Sequence, residues 1–317
     1  MAVLEYTLSS GEATLTGVSA SSGRIALPEE LDGYPLTHLG AYCLSARRVE
    51  PSQPVLETTV GEPDPFGRAD QPVYGGALIA LSLPKTVQEL GSHCCYGCTH
   101  LEELSFYDGL EYVSDGAFKN CRSLSRITLY APKGSTAALE GVLSQISGFC
   151  EVEIRFPQQT VPLIFPGYSE EWEENCPARI FSLDFNGTGY QYRQCLSFRG
   201  LDWERYDSLF PTAANNEALD VLLPLVWRRL KVPYALQEKA KARYLDWTQH
   251  HLEAMTRWLL EQKQPFFRPY LQWGLITLEN AELLRSLSAQ YGDTETVSAL
   301  LDWQKQRRPG WTKEYDL

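Results

Sequence analysis

The stretch LSLPKTVQELGSHCCYGCTHL, residues 81–101, returns 23 residues later as LSFYDGLEYVSDGAFKNCRSL, residues 104–124. Apolar residues keep the same offsets in both copies, while the polar residues between them change. The next interval of 23 residues reaches Ile127, and one more reaches Cys150. An apolar pattern that recurs at a fixed interval of this length predicts a solenoid, in which stacked repeats bury a continuous core.

A solenoid presents an extended surface that is generally used for binding. Inward and outward side chains alternate along each strand, and the small outward residues of three successive strands are Ser82, Ser105 and Thr128. These residues form one row if the repeats stack in register, and Glu103 and Arg126 lie at its edge. We therefore take these five residues as the candidate binding surface. The alternative is that they are simply solvated.

The repeat resembles the BspA-like branch of the leucine-rich repeats, with the pattern L-x-L-P-x-x-V-x-x-L-G-x-x-x-F-x-x-C-x-x-L. The copy at 104–124 carries Ala117, Phe118 and Cys121 at the family's offsets, whereas the copy at 81–101 has two cysteines in place of Ala-Phe. Residues 4–40 resemble the lead-in of the same family, so the resemblance covers about the first half of the chain. It implies a binding or scaffold role, because the family supplies no shared catalytic residues.

Length and charge narrow the class of protein. At 317 residues the chain is long enough for two domains of about 100–200 residues each. Its net charge of -12 argues against nucleic acid or an anionic membrane as partner, because both select faces rich in Lys and Arg. No apolar run approaches the roughly 18 residues of a membrane helix, and no signal peptide is visible. We expect no membrane insertion and a cytoplasmic location, or a secreted or cell-surface one if a signal has been removed.

Eight cysteines raise the alternatives of a metal site and a disulfide framework. Three of them lie with two histidines in the segment 93–100, but a structural zinc site needs four converging ligands. The repeat register instead assigns Cys98 and Cys121 to one core position, where a free cysteine acts as a small buried hydrophobe. We therefore expect buried thiols, no metal and no cofactor. Unpaired thiols suit a reducing compartment.

The first predicted domain, 1–156, contains the solenoid. An insertion at 46–76, rich in Pro and Gly, interrupts the period and predicts a projecting loop, with a strand possible at 55–60. A helix at 135–147, begun by Ser135, is expected to cap the last repeats, since terminal repeats must hide an open core.

The second predicted domain, 157–317, holds all eight tryptophans of the chain. It is expected to be mostly helical with a small β element, so that the whole chain is of the α+β class. A strand or linker is predicted at 161–165 and a short acidic helix at 168–174. The segment 277–306 is similar to the helix-turn-helix of an ankyrin repeat. The remaining periodic segments predict helices over 201–209, 216–230, 235–262, 267–273, 278–291 and 294–306.

No pattern in the chain specifies catalysis. A dyad of Cys94 or Cys98 with His93 needs an accessible nucleophile, and the core assignment of the cysteines removes it. We therefore predict no catalytic residues and a protein-protein interaction or scaffold function with a protein partner. Two alternatives stay open: a surface or secreted adhesin, and an enzyme that gathers Asp, Glu and His of residues 184–251 in the second domain.

Overall fold

The computed structural model of the chain describes residues 2–47, 49, 53–62, 70–175 and 180–307, and within 172–184 it describes the backbone alone. The chain forms two compact units, Met1–Val221 and Leu222–Leu317. The expected α+β architecture is confirmed: a solenoid of short strands comes first, and a mostly helical part with a small β element follows.

The repeats stack through two sheets. The strands of this part of the chain are β1 (Ala2–Ser9), β2 (Glu12–Ala20), β3 (Arg24–Ala26), β4 (Glu30–Leu31), β5 (Tyr34–Leu39), β6 (Leu56–Val60), β7 (Gln71–Pro72), β8 (Ala80–Ser82), β9 (Glu89–Leu90), β10 (Glu103–Tyr107), β11 (Tyr112–Val113), β12 (Arg126–Tyr130), β13 (Cys150–Arg155) and β14 (Thr160–Phe165). Within the described residues, the first sheet has the order β14-β13-β12-β10-β8-β3, and the second follows β11-β9-β5-β2-β1-β6.

The interval of 23 residues is one step from strand to parallel strand in the first sheet. Leu104 of β10 pairs with Leu81 of β8 on one side and with Ile127 of β12 on the other. All three side chains are buried, as is Val152, which follows on β13. The conserved spacing of the apolar residues therefore reflects a column of core side chains.

The solenoid continues on both sides of the insertion. Its first turn does not follow the 23-residue interval, because the insertion separates it in sequence from the next turn. Ile25 of β3 pairs with Leu81 although the two are 56 positions apart. The two ends of the insertion lie next to each other in the stack. The backbone amide of Gly75, at its C-terminal end, donates to the carbonyl of Leu44, just before its N-terminal end, at 2.9 Å. The extra residues thus leave the stack and return to it without breaking it.

Part of the predicted loop is a regular strand. The strand expected at 55–60 is confirmed as β6, which pairs antiparallel with β1, and β7 pairs with β2. The insertion therefore extends the second sheet over the N-terminal hairpin. Residues 48, 50–52 and 63–69 of the predicted loop lie outside the described residues.

One turn position has a left-handed backbone in three successive repeats. Tyr42 (φ 58°), His93 (φ 57°) and Gly116 (φ 70°) are equivalent in the stack, since the amide of Tyr42 donates to Ser92 and that of His93 to Asp115. Only glycine adopts this conformation without steric cost. The rings of Tyr42 and His93 stack at 5.1 Å, so two strained positions lie in direct contact.

At the C-terminal end of the array, the short helix α1 (Ala138–Leu143) lies against β11. It is shorter than the predicted helix at 135–147, and the hydroxyl of Ser135 accepts from the amide of Ala137 just before the helix begins. After the helix, the side-chain amide of Gln145 makes hydrogen bonds to the last turn that the backbone of a further repeat would otherwise make. Its Oε1 accepts from the amide of Phe118 at 3.2 Å, and its Nε2 donates to the carbonyl of Ser114 at 3.0 Å.

Residues after 156 complete this end of the array. The strand or linker predicted at 161–165 is a strand, β14, which pairs antiparallel with β13. At its outer edge the hydroxyl of Tyr206 donates to the carbonyl of Ile164 at 2.5 Å and accepts from its amide at 3.3 Å. The predicted domain boundary at 156/157 therefore falls inside the first compact unit. Independent folding of residues 1–156 stays a prediction.

Arg193 is the largest polar side chain buried at this end. Its guanidinium donates to the carbonyls of Leu143, Ile146, Gly148, Pro166 and Gly189 at 2.6–3.2 Å. Burial lowers the pKa of Arg193 from its ordinary value. Arg193 therefore connects α1, the loop before β13 and the segment after β14 through hydrogen bonds to their carbonyls.

The prediction of a short acidic helix at 168–174 is wrong. The segment is a strand, and it pairs antiparallel with the next one because residues 180–186 supply a partner that local sequence does not reveal. The elements of this region are β15 (Ser169–Asn175), β16 (Ile180–Asn186), α2 (Gly189–Arg193), β17 (Leu196–Ser197), β18 (Gly200–Leu201), α3 (Trp203–Ser208) and α4 (Phe210–Asn216).

The second unit is helical. Its helices are α5 (Leu219–Lys231), which crosses the unit boundary, α6 (Glu238–His250), α7 (Leu252–Glu261), α8 (Phe267–Gln272), α9 (Ala281–Gln290) and α10 (Thr294–Arg307). The single helix predicted at 235–262 is two helices, because the backbone of His251 leaves the helical region. Helices α9 and α10 form a hairpin in which Asp293 accepts from the amide of Thr296. The likeness of this hairpin to an ankyrin repeat is not confirmed.

Candidate functional site

The predicted row of hydroxyl residues exists in the structure. Ser82 pairs with Ser105, and Ser105 with Thr128, on the neighbouring strands β8, β10 and β12. Parallel strands lie about 4.8 Å apart, so the three side chains form a continuous strip, here called the hydroxyl row. All three residues are half-buried, and none of their hydroxyls has a hydrogen-bond partner among the described residues. The row is therefore able to donate and accept hydrogen bonds toward solvent.

The two charged residues predicted at the edge of the row bind each other. Arg126 donates to Glu103 at 2.7 Å and to Glu102 at 2.9 Å, and Arg24 lies 3.2 Å from Glu103 on its other side. Hydrogen bonds from Arg126 and then Arg24 hold the pKa of Glu103 below its usual range. These side chains are more than a third exposed, so each pair contributes only about 0–1 kcal/mol to stability. We call this set the ion ladder.

Two tyrosines line the opposite side of the hydroxyl row. Tyr107 pairs with Tyr130 across β10 and β12, and their rings stack with centroids 4.9 Å apart. Arg155 covers the other face of the Tyr130 ring at 5.2 Å and donates to its hydroxyl at 3.2 Å. We call Tyr107 and Tyr130 the tyrosine pair. Sequence reasoning missed it, although both residues occupy the same offset in successive repeats.

The three features together form a mixed surface on one side of the sheet. The hydroxyl row lies between the ion ladder, whose charges neutralise one another, and the tyrosine pair, whose rings stack. Both faces of the Tyr130 ring are covered, by Tyr107 and by Arg155, so this ring offers its edge and hydroxyl to a partner. Tyrosine and arginine are the side chains most enriched at the centres of protein-protein interfaces.

The cysteines lie in the core, as the repeat register predicts. The seven described cysteines are buried free thiols, and Cys176 lies outside the described residues. The thiol of Cys98 donates to the carbonyl of Leu44, and that of Cys121 to the carbonyl of Cys95, both at 3.1 Å. Burial raises the pKa of Cys150 to about 11, which disfavours the reactive thiolate at neutral pH.

The histidines considered as partners for these thiols make other contacts. The ring of His93 stacks on Tyr42, and Nδ1 of His100 lies 2.8 Å from the carbonyl of Gly76. Within the described part of the chain, no group of three His, Cys, Asp or Glu side chains is arranged to hold a metal ion. In the second unit, His250 and His251 each contact the carbonyl one turn earlier in their own helix.

Comparison with known proteins identifies the repeats. Residues 74–161 match the model of the BspA type leucine rich repeat region, with six copies. A comparison with curated proteins finds no match. No helix in the described ranges combines the length and the apolar character that a bilayer crossing requires.

Two solved structures resemble parts of the chain. One is the leucine-rich repeat protein of T. pallidum, with 21% identity, a TM-score of 0.28, and coverage of 42% of this chain and 54% of that one. The other is a leucine rich cell surface protein from Faecalibacterium prausnitzii A2-165, with 16% identity, a TM-score of 0.26, and coverage of 49% and 41%. The chain thus spans about half the length of these two proteins.

Proposed function

We propose, from the match of residues 74–161 to the BspA type leucine rich repeat region, that the protein is a scaffold that binds a protein partner through the outward side of its first sheet. A repeat region of this type supports a protein-interaction or adhesin-like role. The observation that carries the finer proposal is the hydroxyl row, flanked by the tyrosine pair. Half-buried hydroxyls without internal partners can exchange their bonds to water for hydrogen bonds to a partner.

The charges on this surface favour a protein over a nucleic acid. In the ion ladder, each arginine forms an ion pair with a glutamate. The ladder therefore offers no surplus of positive charge to phosphates. The net charge of -12 repels a polyanion further. A partner with its own mixture of polar and apolar side chains fits a strip of hydroxyls beside aromatic edges.

Binding without catalysis is part of the proposal. The groups that could supply a nucleophile in the repeats are buried thiols, and the histidines near them stack or bind backbone carbonyls. We also propose a cytoplasmic location, which the buried free thiols support, since such thiols persist in a reducing compartment.

The test is capture of partners from the native host by tagged protein, followed by affinity measurement with the partner identified. The variant Ser105→Arg places a long charged side chain at the centre of the hydroxyl row. The matched control is Ser92→Arg, which adds the same side chain at an exposed turn of the preceding repeat. We expect Ser105→Arg to weaken binding by about tenfold or more, as expected for the centre of an interface.

The comparison is valid only when both variants have the same circular dichroism spectrum and melting temperature as the wild type. If Ser105→Arg binds the partner as tightly as Ser92→Arg does, the binding surface lies elsewhere and the proposal fails.

A further inference from the structure

In the described residues, three of the four strands at the ends of the two repeat sheets are protected at their outer edges. The outer edge of β14 contains Pro162, which has no amide hydrogen, and the hydroxyl of Tyr206 occupies both polar groups of Ile164. The two-residue edge strand β11 lies against α1. Strand β3 has three residues, and the hydroxyl of Ser22 accepts from the amide of Arg24. Such devices prevent a sheet from pairing with another chain.

Strand β6 is different. It forms the end of the second sheet for five residues, Leu56–Val60, and no described residue hydrogen-bonds to the backbone along its outer edge. It contains no lysine and no proline, and Leu56 is 43% exposed. An exposed edge of this kind is a template for addition of a further strand.

The edge is also held in place before any partner arrives. Asp32 accepts from the hydroxyl of Thr58 at the centre of β6 and from the hydroxyl of Tyr6 on β1, both at 2.7 Å. Strand β6 is therefore fixed to β1 by a side-chain bridge in addition to the ladder of backbone bonds. A preformed strand binds with less loss of conformational entropy than a mobile one.

The sequence of β6 is complementary to itself. When two copies pair antiparallel about a two-fold axis through Thr58, Leu56 faces Val60 of the second copy and Glu57 faces Thr59. No two like charges are directly opposite, and an exposed leucine gains an apolar neighbour. We propose that β6 is a homodimerisation edge, at which a second copy of this chain pairs antiparallel to form one continuous sheet across the two-fold axis. This surface is separate from the hydroxyl row and does not depend on the function proposed for it.

The test is sedimentation equilibrium of the full chain over a concentration series, with two substitutions at one position. Thr59→Lys places a lysine opposite Glu57 of the second copy, whereas Thr59→Glu places a glutamate there. Each change occurs twice per dimer, so we expect the dissociation constant to fall and to rise, respectively, by between about 2-fold and about 30-fold. Added salt should strengthen the wild-type dimer, because it screens the repulsion between two copies of charge -12.

A wild-type chain that stays monomeric at every concentration overturns the proposal. A dimer whose dissociation constant is the same in both variants also overturns it, because the contact is then made by another surface. Thr59 is exposed, so both variants should keep the wild-type circular dichroism spectrum. If one of them fails to fold, the other still gives a signed prediction against the wild type.

Discussion

At its C-terminal end the repeat array adds one antiparallel strand, β14, whose outer edge is closed by a side chain, whereas at its N-terminal end further strands extend the second sheet to an open edge. Gln145 and Tyr206 bind backbone groups that a further repeat or strand could otherwise bind, and Arg193 binds carbonyls of the loops beside them. At the other end, β1 and β2 continue the second sheet, and the insertion adds β6 outside them. A side chain ends a sheet because it offers no new backbone edge, while an added strand moves the edge outward. The difference predicts that single substitutions matter most at the C-terminal end.

The largest effect is expected for Arg193→Ala. The substitution leaves several buried carbonyls without a donor at once, so we expect the free energy of unfolding to fall by about 3–5 kcal/mol. Urea unfolding followed by circular dichroism measures it. The control is Arg199→Ala, at an exposed position six residues later, which should change stability by less than about 0.5 kcal/mol. Equal effects of the two substitutions would mean that the C-terminal end does not depend on its buried arginine.

A smaller loss is expected for Gln145→Ala. The amide of Phe118 and the carbonyl of Ser114 then lack their partner, which costs about 1–3 kcal/mol. Hydrogen exchange should show faster exchange at the amide of Phe118 than in the wild type, with Gln194→Ala, an exposed glutamine, as the control. Unchanged protection of that amide would contradict the assigned role of Gln145.

The smallest of these effects concerns the N-terminal end and depends on pH. Hydrogen bonds from Thr58 and then Tyr6 lower the pKa of Asp32, and the bond to Asp32 raises the pKa of Tyr6 to about 12. The stabilisation from Asp32 is present above its unfolded pKa of about 3.9 and is lost as pH falls through its lower folded value. The stabilisation from Tyr6 is complete below about pH 10 and is lost as pH rises toward 12.

We therefore expect Asp32→Ala to lower stability between about pH 4 and pH 10, where the bridge contributes, and thereby to flatten both the acid and the alkaline limbs of the stability profile. The midpoint of urea unfolding, measured from acid to alkaline pH in wild type and variant, provides the comparison. Two profiles of the same shape would show that the bridge to β6 does not contribute.

The parts of the fold that follow the period of 23 residues are predictable from sequence, because each apolar residue there meets its own counterpart one repeat away. Leu81, Leu104 and Ile127 are the clearest case, and the hydroxyl row follows from them by alternation along the strand. The buried positions of Cys94, Cys95, Cys98 and Cys121 are predictable for the same reason.

Features that depend on distant or irregular partners are not predictable in this way. The insertion hides the first turn of the array, since Ile25 meets Leu81 at an interval that the period does not contain. The strand β15 reads locally as an acidic helix, and only its pairing with β16 fixes its conformation. The ion ladder joins Arg24 to Glu103 from opposite sides of the insertion, and Arg193 binds carbonyls of α1, of the loop before β13 and of the segment after β14.

The left-handed turn shared by Tyr42, His93 and Gly116 has a consequence for how substitutions in neighbouring repeats combine. Only glycine adopts the backbone conformation of this turn without strain, yet two of the three positions carry an aromatic ring, and these two rings stack on each other. Replacing one ring by glycine relieves strain in that repeat and removes the contact that compensates for strain in the next. Substitutions at the two positions are therefore expected to be non-additive, because each side chain contacts the other.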